Sequence, residues 1–255
     1  MKQFLYLLLL CVIFSGCKDI NSYEIRCNAV VVIILLIVTL FFILAKYSNI
    51  LRDEISNSDE FEQNAQILQQ NKRWPLVDKK APFNLTKVQF GFWTVIISSV
   101  YIYLSLCKGD CASGSINQTA LVLMGIFAGT TVASSVIDKN EINDNRPRYQ
   151  NSPSQGFFID ILSDSNGISI SRFQNLIWTI IAMVVYLYKV SLVTSGCDLP
   201  ELSNTILALT GISSATFVIL KTKENDPQSS VSTSATTDNK STANQNPTAV
   251  TQPLD

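Results

Sequence analysis

The sequence predicts an all-α membrane protein: one N-terminal span followed by two parallel two-helix hairpin repeats. Three observations lead there. Hydrophobic residues make up 47% of the 255 and charged ones only 15%, against about 25% charge in a typical soluble domain. Those charges crowd into a few segments between long apolar runs. Two stretches of the chain also match each other, residue for residue, at one offset.

Composition excludes several functions. Acids and bases nearly cancel, with net charge −1, so no global field attracts nucleic acid. The chain contains no histidine, which removes the commonest general base and metal ligand together. No metal site or cofactor is expected.

Residues 1–17 read as a signal peptide. Met1-Lys2-Gln3 precedes an apolar run from Phe4 to Phe14, too short for a span, and then Ser15-Gly16-Cys17. That order resembles a bacterial lipoprotein signal with Cys17 as the lipidated residue; an uncleaved signal-anchor is the alternative. Residues 18–46 hold a short outer segment and the first span.

A membrane helix needs about 20 apolar residues. Five segments qualify: Ala29–Ala45, Val88–Leu106, Ala120–Ile137, Phe173–Val193 and Leu202–Leu220. The first is almost pure Val, Ile, Leu and Phe, so it is expected to face lipid. The others carry Gly, Ser, Thr and aromatic residues, as helices packed on protein do. Between the spans lie a cytoplasmic segment (47–81), with a candidate helix in Asn49–Asn71, and a cytoplasmic linker (139–168). Residues 223–255, rich in Ser, Thr, Asn and Gln, read as a disordered cytoplasmic tail.

Orientation follows from Lys and Arg. Fourteen lie on the side expected to be cytoplasmic: seven in 46–87, four in 139–172, and Lys221, Lys223 and Lys240. Only Lys18, Arg26 and Lys108 fall outside. The C-terminus is therefore expected in the cytoplasm and the protein in the bacterial inner membrane. Cys107 and Cys111 then share an oxidising outer loop, as a disulfide or as separate thiols.

The repeat occupies residues 82–138 and 169–222. Gln89, Trp93 and Thr94 match Gln174, Trp178 and Thr179, and Val100-Tyr-Ile-Tyr103 matches Val185-Tyr-Leu-Tyr188. After a one-residue shift, Thr119, Gly125, Ile126 and Thr130 match Thr205, Gly211, Ile212 and Thr216. Each repeat helix carries a capping-box pattern at its start: Thr86 with Gln89, Ser115 with Gln118, Ser171 with Gln174, and Asp198 with Glu201. Capping is the expected role of Gln89 and Gln174. Gly125, Gly129, Gly211 and Ala215 form small-residue stripes that allow close helix packing, within the chain or between copies.

Lys189 is the one charge well inside a predicted span. It snorkels to the outer surface or lines a pore. The Asp160–Gly167 stretch carries oxygen ligands near an Asn-Gly turn, but without the alternation and terminal glutamate of a calcium loop.

Two hairpins carry Ser171, Gln174, Trp178 and Thr179, then Leu209, Gly211, Ile212, Ser213 and Thr216, with a less complete first copy that has Phe127 in place of Ser213. In this they resemble a group of uncharacterised bacterial multi-pass membrane proteins. The resemblance covers about Pro82 to Lys221 and implies architecture without a reaction.

The expected role is a non-enzymatic anchor or scaffold docking a partner on its cytoplasmic face. An oligomeric pore comes second. An intramembrane enzyme using Asp138 or Asp160 comes third. Expected partners are the lipid bilayer, further copies of the chain, or a cytoplasmic protein.

Overall fold

The computed structural model describes residues 22–70, 79–108, 116–194 and 199–225. Cys17, Cys111, Ser115, Asp198 and the chain after Asn225 lie outside the described residues, and so do the expectations attached to them. Among the described residues seven helices run in chain order: α1 (Ser22–Tyr47), α2 (Ser58–Gln70), α3 (Leu85–Tyr103), α4 (Gln118–Asn143), α5 (Phe157–Leu162), α6 (Ile170–Ser191) and α7 (Asn204–Lys221). A π-helical turn, Leu104–Lys108, extends α3, and a two-stranded ribbon, β1 (Ser163–Asp164) with β2 (Gly167–Ile168), separates α5 from α6.

Five helices are long and apolar enough to cross a membrane: α1, α3 with its π turn, α4, α6 and α7. The chain is a multi-pass membrane protein. Helices α3 and α4 pack as one hairpin, α6 and α7 as another, and α4 lies along α7. Those two run in the same direction. Leu202 N donates to Thr119 Oγ1 at one end, and Lys221 Nζ reaches Asp138 Oδ2 at the other. The bundle thus has a turn end, with the short 109–117 and 192–203 connections, and a linker end that gathers every longer one.

Helix α1 leans on the bundle and scarcely enters it, as its uniform apolarity predicts. Its contact is specific at Gly91 of α3, where a Cβ would come within 2.7 Å of the Phe41 ring. Phe41 also meets Phe92 edge-on, ring centroids 5.5 Å apart.

The capping boxes are not formed. Asn84 caps α3, its Oδ1 accepting from Thr86 N (3.0 Å) and Lys87 N (3.1 Å). Asn117 caps α4 through Ala120 N, and Ser203 caps α7 through Ile206 N. Ser169 stands at the α6 start without a side-chain bond to the helix. Asn and Ser are strong caps wherever the chain leaves extended backbone. The residues preceding the expected hydroxyls reach that point first, which frees the glutamines.

Interior residues fall in three layers. Toward the turn end lies an apolar cluster of Trp93, Ile97, Val100, Leu123, Phe127, Ala182 and Tyr186. Trp93 stacks on Phe127 and meets Tyr186 edge-on, each at 5.8 Å. Below it is a band of buried polar side chains, and the linker end is charged.

Candidate functional site

The linker end holds most of the buried charge among the described residues. It begins with the termination of α4. Asn145 adopts φ 50°, a left-handed conformation Asn tolerates better than most residues. Arg146 N then bonds back to Glu141 O, and this reversal folds residues 146–156 over the last turn of α4.

Asp138 and Glu141, three residues apart, project from one face of that turn. Arg148 comes down on both: Nη2 lies 2.6 Å from Asp138 Oδ1, Nε lies 3.1 Å from Glu141 Oε2, and Nη1 donates to Glu54 O at 3.1 Å. Its side chain is fully buried. Lys221, the last residue of α7, takes the other Asp138 oxygen at 3.0 Å. Asn225 Nδ2 donates to Glu141 Oε2 and to Gln150 Oε1. Two carboxylates thus face two cations, each charge paired and hydrogen-bonded, the condition under which buried ions are tolerated.

A second pair lies beside the first. Arg172 Nη2 donates to both oxygens of Glu224, at 2.7 and 2.8 Å, while its guanidinium lies 5.4 Å from the Phe217 ring and 5.8 Å from that of Tyr149. Burial raises the Glu224 carboxyl above its ordinary value, against the lowering fields of Arg172 and Lys221. Burial also holds the Tyr149 phenol well above 10, so it stays a donor, to Ser163 O at 2.9 Å. Glu224 and Asn225, at the start of the expected tail, are therefore docked parts of this cluster.

The same loop fastens the other connections. Asn151 Oδ1 accepts from Ser56 N and Oγ, its Nδ2 donates to Glu60, and its carbonyl accepts from Asn64. Helix α2, capped by Asn57, is held there with Phe61 and Ala65 turned inward. Asp160 accepts from Ser154 Oγ (2.6 Å), Gln155 N (2.9 Å) and Phe83 N (3.2 Å), and burial raises its carboxyl against those three bonds. Its oxygens serve the fold, and Asp164 caps the ribbon turn through Asn166 N. Among the described residues no group of three or more His, Cys, Asp or Glu is placed to hold a metal.

The other sequence candidates separate. Gln89 is buried in the polar band, its Nε2 donating to Thr179 Oγ1 at 2.7 Å, and Asn175 and Ser214 lie alongside. Gln174 and Thr94 are exposed, and Trp178 is half-buried. Gly125 and Gly129 face outward, and a Cβ added at either would meet nothing within 4 Å; Ala215 is exposed, and Gly211 meets only Ile126, at 3.6 Å. The stripe therefore makes no close helix contact inside the chain, because α4 turns Leu123, Phe127, Thr130 and Ser134 inward instead. Lys189 Nζ donates to Glu201 O at 2.6 Å, tying α6 to the approach to α7. Cys107 is buried, and Cys27 Sγ donates to its carbonyl at 3.9 Å.

In the sequence Lys221 and Arg172 read as orientation signals alone, and Arg148 does not stand out. One signal is present there: Asp138 and Lys221 end the second helices of the two hairpins, an acid and a base at matched depth. Comparison with family models, with curated proteins and with solved structures finds no match.

Proposed function

We propose that the protein is a non-enzymatic anchor of the bacterial inner membrane that docks a partner protein on its cytoplasmic face. One observation carries the reading. The connections at the linker end are built by buried Arg148 and Asn151 into a single ordered platform. That platform presents the outer face of α2, with Glu62, Gln63, Gln66 and exposed Ile67, to the surroundings. The buried charges there are committed to one another, as structural groups are and as a reacting centre is not.

The excess of Lys and Arg in the linker-end segments supports placing this platform in the cytoplasm. The matched residues of the two hairpins support their origin as one unit written twice, with its copies parallel in the membrane.

Two measurements test the reading. Thiol labelling from the periplasm is expected to reach cysteines placed near Gly114 and Gly196 but not near Asn143 or Ser230. Capture of the tagged full chain in mild detergent, with sizing, is expected to yield a complex heavier than the protein alone. Reversed labelling refutes the orientation. A lone chain that conducts ions in purified vesicles refutes the anchor.

A further inference from the structure

We propose that residues 157–170, which comprise α5, the ribbon and the start of α6, form a membrane-surface wedge whose outward apolar side chains insert into the headgroup–acyl boundary. The inward side is already occupied by protein at the level where the spans end. Phe157 meets Phe83, one residue before the α3 cap, with ring centroids 5.2 Å apart. Ile161 is buried in a cluster with Leu85, Val88 and Phe217.

The outward side is apolar and open: Phe158 is 69% exposed, Ile168 76% and Ile170 79%. Phe158 sits one helical turn before Leu162, and Leu162 O accepts from Ser169 N at 2.8 Å, so the helix and the second strand lie side by side.

Continuity identifies the occupant. Ile170 begins a stripe of exposed apolar residues on α6, with Phe173, Ile177, Ile180 and Val184 spaced at three and four. On a membrane-spanning helix that stripe faces acyl chains, and Ile168 and Phe158 prolong it past the end of the span. The ribbon turn supplies the polar edge of an interfacial element: Ser165 and Asn166 are exposed, and Ser165 Oγ donates to Glu224 O at 2.8 Å. The wedge rests on the membrane-spanning reading of α6 and is independent of the docking role.

The test places the photo-crosslinking residue benzoylphenylalanine singly at Phe158, Ile168, Val184 and Ile67 of the full chain. Irradiation is carried out in native membranes and in phosphatidylethanolamine–phosphatidylglycerol vesicles, and adducts are read by mass. Phospholipid adducts are expected at 158, 168 and 184 and none at 67. F158E is expected to abolish the lipid adduct at 168 while leaving that at 184. If position 184 gives lipid but 158 and 168 give a second copy, another protein or nothing, the wedge is refuted. Failure at 184 as well refutes the span itself, and the wedge with it.

Discussion

The two hairpins carry matching residues and use them differently. Gln89 and Trp93 of α3 are buried, at 1% and 0% exposure, whereas their sequence partners in α6, Gln174 and Trp178, are exposed and half-buried. The residues of α6 that point inward lie one position further along. Arg172, Asn175, Thr179 and Tyr186 occupy the places that Thr86, Gln89, Trp93 and Val100 hold in α3. A one-residue shift turns a helix by about 100°, enough to exchange an inward face for an outward one. Amide thus stands against amide, Gln89 beside Asn175, but not the amides that the alignment pairs. Identity along the chain records kinship and leaves the rotation to packing.

The largest effect separates the two tryptophans. W93A removes a fully buried ring from between Phe127 and Tyr186 and is expected to cost about 3–5 kcal/mol in detergent unfolding, with W178A well under half of that. Equal losses would mean that both hairpins turn the same face inward.

The charged cluster, which ties α4 of one hairpin to α7 of the other, comes close behind. R148M strands Asp138 and Glu141 and should cost about 3–5 kcal/mol. R146A, which breaks the exposed Arg146–Asp144 pair, should cost about 0–1 kcal/mol. Thermal midpoints of both variants in one detergent check the difference.

A smaller contrast lies in the polar band. Q89L loses the bond to Thr179, but it also removes Gln89 Oε1, a buried atom with no partner among the described residues. The net loss is expected at about 0.6 kcal/mol, with about 1.7 as an upper bound. Q174L should be silent. A large loss for Q174L, read by the same unfolding assay, would restore the capping box.

The smallest effect is a pH dependence. Burial lifts the Glu224 carboxyl, so the folded chain binds that proton more tightly than the unfolded one. Its contribution to stability is complete below the unfolded value and fades as pH rises through the folded one. The stability advantage of the native chain over E224Q should therefore narrow as pH is raised from 4 toward 8. A widening gap would mean that the ion pair with Arg172 outweighs the cost of burial.

The spans were legible because length and hydropathy alone decide them. The candidate helix within Asn49–Asn71 reappears as α2, with its start fixed by Asn57. Rotation was not legible. Uniformly apolar helices such as α1 and α4 carry no moment to orient them, so the small-residue stripe on α4 read as a contact although it faces outward. The real close approach falls at Gly91, an isolated glycine without a motif, under Phe41. The charged cluster was hidden for another reason. Asp138, Arg148, Lys221 and Asn225 come from segments that meet only after the hairpins have packed, and an acid or base at a span end has an orientation role that accounts for it locally.

Docking by the linker-end platform is the central claim. A photo-crosslinker at Ile67, on the outer face of α2, in intact cells puts that to the test without extraction. The predicted result is a discrete protein adduct heavier than the chain, lost when the neighbouring Gln63 is replaced by Lys and unchanged by W178A. No adduct at Ile67, with no heavier complex in the sized detergent preparation, would contradict it.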